Sequence, residues 1–274
     1  MRQLVEPLQM PVPQAGAANG CFETMRAYGG KIFRLEAHLD RLYASAQFLG
    51  TRPPSDRRGL GRQLTGALRR SGLNEAVVRV ALIPRPKAEA SPSIVVQPAI
   101  RPPASAYRRG IRVAVVPTRK FSVASITPQA KYSARLGSVL AVMDAQLRGV
   151  DEALFLEVIG GVTESTASNL GIVSEGLVLT PPCSLGLLAG ITRDVLFEVS
   201  AQLGFAIRET PLTRHDLYNA DEAFLTSTLK EVLAVTVIDG RTIGTGRPGP
   251  ITRALRRAFQ ELVRKELRLT RSQP

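Results

Sequence analysis

The stretch at 98–109, PAIRPPASAYRR, constrains this chain most, because three prolines and a polar run interrupt every periodic pattern that reaches it. Proline fixes φ and removes a backbone donor, so neither a helix nor a central strand continues easily through such a run. The chain therefore reads as two domains, 1–105 and 106–274, joined by a linker and large enough together to bury a substantial core.

Periodicity fills in both halves. Residues 21–28 read as a strand, Gly29-Gly30 as a hairpin turn and 31–33 as the returning strand. Leu35, Leu39, Leu42, Ala46 and Leu49 then recur at helical spacing, while Arg34, His38, Arg41 and Ser45 form a second stripe on the same helix. A second helix covers 55–71 and stops at Gly72, and strands follow at 77–83 and 94–97. Beyond the break the pattern gives a strand at 111–116, a loop to Ala130 and a helix over 133–148. Strands at 153–158, 169–173 and 177–179 precede a helix from Thr192 to Gly204. Extended segments at 205–210 and 222–225 lead to a strong strand at 232–238, closed by Asp239-Gly240. A last amphipathic helix follows Gly249-Pro250, aligning Ile251, Leu255, Phe259 and Leu262. The class is α+β in two domains.

Composition narrows the chemistry. Hydrophobic residues make up 44% and charged ones 22%, which is globular composition. No run approaches the roughly 18 apolar residues of a membrane span, and the first twenty residues lack an uninterrupted apolar core for a signal peptide. Two cysteines make neither a disulfide framework nor a zinc site, so a cytoplasmic protein is expected. The net charge is +13, but only six of the 36 basic residues are Lys and the Arg are scattered. With no RNP motif, zinc finger or basic heptad region, an Arg-rich solvated surface is expected rather than a nucleic-acid partner. Only His38 and His215 are available, leaving little material for a catalytic triad, and no ligand cluster has metal spacing.

What remains is a lysine, an acid and a phosphate site. Covalent amine chemistry needs a Lys that can lose its proton near neutral pH. Lys31 sits on a hairpin, Lys87 in a Pro-rich loop, Lys230 in a polar stretch and Lys265 in the charged tail; Lys120 and Lys131 flank the loop FSVASITPQA. Lys131 precedes an apolar helix face of Leu136, Val139, Leu140, Met143 and Leu147, although a lysine before a helix is commonly just solvated. Glu164 lies among small and hydroxyl residues in VIGGVTESTASNLGIV, where it reads either as a turn cap or as a partner for a cationic ring nitrogen. GLLAGITRD opens a helix at Ile191 and Thr192, a phosphate site or a plain N-cap. LTSTLKE adds the hydroxyls of Ser227 and Thr228 at a strand end.

The order of these pieces resembles the class IV (fold-type IV) pyridoxal 5′-phosphate (PLP) enzymes, which comprise branched-chain aminotransferases, D-amino acid aminotransferases and aminodeoxychorismate lyases. The likeness runs from about Gly20 to Val263 through GCFETMRAYGGKIFRLEAHLDRL, the Lys131 helix, GGVTESTASNLGIV, LLAGITRD, LYNADEAFLTST and GPITRAL. It implies a small N-terminal α/β domain and a larger C-terminal domain with a β-barrel-like core. By resemblance, Lys131 is the catalytic lysine and holds PLP as a Schiff base, and Glu164 meets the ring nitrogen. Arg41, Ile191, Thr192 and Thr228 bind the phosphate, with Leu188 and Ser227 lining the cofactor site. Phe22, Arg26, Tyr28 and Arg79, with the 118–130 loop, wall the substrate pocket. A homodimer is implied as well, with part of the pocket supplied by the neighbouring subunit.

Within the family the C-terminal half looks most like a branched-chain aminotransferase moving an amino group between an amino acid and a 2-oxo acid. Arg79 in VVRVALIPR stands where those enzymes carry an Arg beside the substrate. IPRPK lacks the His of the Arg-x-His carboxylate trap of D-amino acid enzymes. GCFET is close to the lyase form, so a lyase making 4-aminobenzoate is the alternative. Three departures stand out: AGAAN before Gly20, Ala134 where relatives often have Asn, and Ala234 where a Pro is usual.

Overall fold

The computed structural model describes residues 20–120, 129–133 and 136–269. Its chain separates into two compact units. Of the described residues, 20–101, 130–133 and 263–269 form the first, and 102–120, 129 and 136–262 the second. The division falls between Arg101 and Pro102, inside the proline-rich run, but 130–133 and the C-terminal tail return to the first unit.

The first unit begins with β1 (Cys21–Tyr28), the Gly29-Gly30 turn and β2 (Lys31–Ile32). Helices α1 (Leu35–Phe48) and α2 (Arg57–Ser71) follow, then the hairpin β3 (Ala76–Arg85) and β4 (Ala88–Pro98). Asp56 caps α2 by accepting the Gly59 amide at 2.7 Å, and Gly72 closes it at φ +67°. The sheet order is β2-β1-β3-β4, all antiparallel. Its side chains alternate between two faces. Cys21, Met25 and Ala27 of β1, with Val78, Val80 and Leu82 of β3, pack against Leu39, Leu42, Leu60, Leu64 and Leu68 of the helices.

The second unit opens with α3 (Ala104–Arg109) and β5 (Ile111–Arg119). The sequence pattern treats 98–109 wholly as linker. One short helical turn forms there, and β4 runs through Pro92 to Pro98. Next come α4 (Leu136–Leu147), β6 (Glu152–Leu156), β7 (Val162–Ser165), β8 (Asn169–Ser174) and β9 (Leu177–Thr180). Then follow α5 (Ile191–Leu203), β10 (Ile207–Glu209), α6 (Arg214–Tyr218), β11 (Glu222–Ser227), β12 (Glu231–Ile238), β13 (Arg241–Thr242) and α7 (Pro250–Leu267). Strands β8-β11-β12-β5-β6-β7 form a closed six-stranded ring, and the pair Glu164↔Asn169 between β7 and β8 completes it. Its interior is apolar, with Val113, Leu154, Leu156, Ile172, Leu225 and Val235 buried. Glu222 of β11 caps α7 by accepting the amides of Ile251 at 2.9 Å and Thr252 at 2.7 Å.

Helix α4 buries its small residues and exposes its large ones. Ala141 and Ala145 are buried beside Val116, Ala153 and Phe155, whereas Leu136, Val139, Leu140, Met143 and Leu147 face outward. Leu136 is 72% and Leu147 88% exposed. Among the described residues no helix is long and apolar enough to cross a membrane.

Candidate active site

In the first unit the two faces of the β1–β3 sheet carry different chemistry. Thr24 lies opposite Arg79 in the ladder, so Phe22, Arg26, Tyr28 and Arg79 share the face turned away from the helices. Arg26 is 2% exposed, with its guanidinium 4.3 Å from the Tyr28 ring and Nη2 3.3 Å from Glu75 Oε2. The ammonium of Lys131 lies 5.0 Å from the centroid of the Phe22 ring. The Lys131 backbone is tied down as well. Its carbonyl accepts the Phe22 amide at 3.1 Å, its amide donates to Ser45 Oγ at 2.9 Å, and the Ser133 amide donates to the Gly20 carbonyl at 2.8 Å.

On the opposite face Glu23 interrupts the apolar packing. It is fully buried and takes Arg41 Nε at 2.6 Å and Nη2 at 2.9 Å, a bidentate contact, and His38 Nδ1 at 2.8 Å. Burial alone would raise the Glu23 carboxyl, but Arg41 and His38 outweigh it and hold it well below the usual carboxylate range. Burial also lowers the His38 pKa; the hydrogen bond to Glu23 opposes this, while the charges of Arg41 and Lys131 reinforce it. The imidazole is therefore neutral at pH 7, and because a carboxylate only accepts, Nδ1 carries the proton. Nearby Cys21 is no nucleophile, since burial pushes its thiol up to about 12.

In the second unit Glu164 sits at the point where the barrel closes. Lys120 Nζ lies 2.5 Å from Oε1, while Asn169 Nδ2 and the Leu188 amide donate to Oε2 at 3.3 and 3.2 Å. Asn169 Nδ2 also reaches the Leu188 carbonyl at 2.8 Å, locking the loop before α5 to the carboxylate. Gly190 is required there, since a Cβ would fall 1.9 Å from Asn169 Oδ1. No side chain caps α5 at Gly190, and buried Ile191 and Thr192 open the helix, so its first turn presents backbone donors and a positive dipole end.

Ser227 and Thr228 stand half-buried where β11 turns into β12. The Lys230 amide donates to Ser227 Oγ at 3.2 Å, and the Lys230 carbonyl accepts from Tyr107 Oη at 3.0 Å. Lys230 Nζ pairs with Glu152 and reaches Ser168 Oγ at 3.2 Å, and Thr166 Oγ1 also bonds Glu152. The polar stretch expected at Lys230 is thus an anchored turn. Glu231 follows at φ +57°, unusual for a side-chain-bearing residue, and Gln260 Nε2 holds its carboxylate at 2.8 Å.

In the first unit Lys131 meets Phe22, which shares a sheet face with Arg26, Tyr28 and Arg79, while Arg41 is held by Glu23 of the other face; in the second, Glu164 is held by the Leu188 amide. Sequence reading did not single out Glu23, Asn169 or the pairing of Lys120 with Glu164. Glu23 did carry a signal. It alternates with Cys21, Met25 and Ala27 on the apolar face, and a carboxylate there requires buried partners. Part of the expected substrate loop, residues 121–128, lies outside the described residues, as do Ala134 and the AGAAN segment. Among the described residues no cluster of His, Cys, Asp and Glu is suited to a metal.

Within each unit the donor types fit PLP: the first carries a lysine amine suited to an aldehyde and an arginine suited to a phosphate, and the second a held carboxylate suited to a cationic ring nitrogen and a helix start and hydroxyls suited to a phosphate. The fold is that of a PLP-dependent aminotransferase, and the chain belongs to the class IV aminotransferase family, whose model matches residues 20–238. A branched-chain-amino-acid aminotransferase of Pseudomonas aeruginosa is 34% identical over 258 residues, covering 89% of this chain and 84% of that protein. The D-alanine aminotransferase of Bacillus licheniformis is 31% identical, with 90% and 89% covered. Among solved structures, the Escherichia coli branched-chain amino acid aminotransferase superposes with a TM-score of 0.86 at 29% identity, covering 89% of this chain and 85% of that one. The branched-chain amino acid aminotransferase of Thermobaculum terrenum, solved in its PLP form, gives 0.83 at 28% identity, with 90% and 86% covered. These relatives are transaminases by name, so the lyase alternative is not favoured.

Proposed function

We propose that this aminotransferase moves the amino group of a branched-chain L-amino acid to a 2-oxo acid. The observation that carries the substrate class is the shared face of Phe22, Arg26, Tyr28 and Arg79, with aromatic walls for an aliphatic side chain and the Arg79 guanidinium for a carboxylate, Arg26 being held by Glu75 and Tyr28. Similarity to the branched-chain enzymes of P. aeruginosa and E. coli supports it.

Bound PLP supplies an aldehyde and a ring able to take up the electrons of the substrate Cα–H bond. Lys131 would hold that aldehyde through its amine, and once freed by the substrate amine it would serve as the base for the Cα proton. Glu164 would hold the ring nitrogen, and Lys120, Asn169 and the Leu188 amide keep Glu164 an oriented carboxylate. Arg41 in the first unit, and the Ile191 and Thr192 amides with the hydroxyls of Ser227 and Thr228 in the second, are the groups that would hold the phosphate.

The protein is proposed to act as a cytoplasmic homodimer. The outward stripe of Leu136, Val139, Leu140, Met143 and Leu147 on α4 supports the dimer, because large aliphatic side chains at helical spacing call for a covering surface.

An amino-donor panel tests the reading. Protein loaded with PLP and 2-oxoglutarate should form glutamate fastest with L-valine, L-leucine or L-isoleucine. A preference for D-alanine would reassign the substrate, and release of 4-aminobenzoate from aminodeoxychorismate would reinstate lyase chemistry.

A further inference from the structure

The polar stripe of α1 extends beyond Arg41 to Ser45, which lies 1% exposed beside the apolar stripe of Leu39, Leu42 and Ala46. Its hydroxyl donates to the Arg41 carbonyl at 2.7 Å, a common way for a helical serine to satisfy its proton. That contact leaves the oxygen lone pairs as acceptors, and one of them takes the Lys131 amide across a sequence separation of 86. One buried hydroxyl therefore touches the backbone of both Arg41 and Lys131. From β1, the Phe22 amide holds the Lys131 carbonyl. The peptide groups on both sides of the lysine are thus fixed, one to a helix and one to a strand.

We propose that Ser45 is a positioning residue for Lys131, registering the covalent lysine against the helix that carries Arg41. The proposal rests on the reading of Lys131 as the lysine that bonds PLP. A lysine of this kind leaves the cofactor and returns to it in each turnover, so the anchorage of its backbone sets how often the amine returns in reacting geometry. A displacement of about 1 Å at a reacting group costs as much as 100-fold in rate.

The test separates covalent capture from non-covalent binding. Pyridoxamine 5′-phosphate has no aldehyde, so it occupies the site without bonding to lysine. Ser45→Ala is expected to slow covalent capture of PLP by roughly 10-fold, with the dissociation constant for pyridoxamine 5′-phosphate unchanged within about twofold. Ser45→Cys preserves volume but accepts hydrogen bonds weakly, so it should behave like Ser45→Ala, whereas Ser45→Thr should recover capture. Unchanged capture in Ser45→Ala would overturn the proposal. An equal loss of pyridoxamine 5′-phosphate affinity, or recovery in Ser45→Cys, would assign Ser45 to packing and overturn it equally. Lys131→Ala serves as the reference: capture that survives in it dismisses the reading of Lys131 itself rather than the role of Ser45.

Discussion

Glu23 grips Arg41 by two teeth of its guanidinium, Nε at 2.6 Å and Nη2 at 2.9 Å, from a position with no solvent exposure. Such a fork fixes the direction of the arginine as well as its charge. Breaking a buried pair by neutralising one partner costs roughly 3–5 kcal/mol. Glu23→Gln should therefore fold less stably and bind PLP about 10-fold more weakly, while its affinity for pyridoxal, which lacks the phosphate, stays within about twofold. Parallel titrations with the two compounds check this, and an equal loss of both would show that Glu23 does not act through a phosphate-binding Arg41.

His38 gives the fold an acid limit. Its folded pKa is depressed, first by burial, below the ordinary value of 6.5. The unfolded chain therefore takes up the proton first on acidification. The associated stability is complete above about pH 6.5 and is lost as pH falls toward the folded value. Glu23 is depressed too, so its contribution disappears lower still, beneath the ordinary glutamate range. Melting temperatures of wild type and His38→Gln, compared from pH 7.5 to 5, should converge on acidification. A gap independent of pH would mean that His38 is not held neutral.

Glu164 and Lys120 divide the work at the barrel seam. Glu164→Gln removes the charge that a protonated ring nitrogen needs and should lower turnover roughly 100-fold. Lys120→Met leaves the Asn169 and Leu188 contacts in place and should change PLP affinity by no more than about threefold. Steady-state rates and cofactor titration read the two effects. If Lys120→Met proved the more damaging in turnover, the assignment of the ring partner to Glu164 would be wrong.

The exposed aliphatic stripe on α4 predicts self-association. Wild-type protein should sediment as a dimer, and Leu140→Lys combined with Met143→Lys should release monomers whose helix content is unchanged. A wild-type monomer at micromolar concentration would contradict the homodimer.

How much of this was legible in sequence depended on distance along the chain. Local signals carried β1, the Gly29-Gly30 turn, α2 with its Gly72 stop, and the start of α5 at Ile191, because each is set by neighbouring residues. The short α6, with its Thr213/Asp216 capping box, escaped a reading based on apolar periodicity. In α4 periodicity found the apolar stripe but could not say that the alanines would be the buried side. Glu164 and Arg41 stood out by motif order. Their holders, Asn169, Lys120 and Glu23, come from other strands or from the far side of a loop, and tertiary pairing of that sort leaves no local pattern.

The central claim is that Lys131 is the lysine that bonds the cofactor. Borohydride reduction of protein incubated with PLP, followed by peptide mass mapping, tests it most directly. The expected result is one phosphopyridoxyl group, on the peptide containing Lys131, and its loss in Lys131→Ala. A label on Lys120 or Lys230 that persists in that variant, or no label at all, would contradict the account.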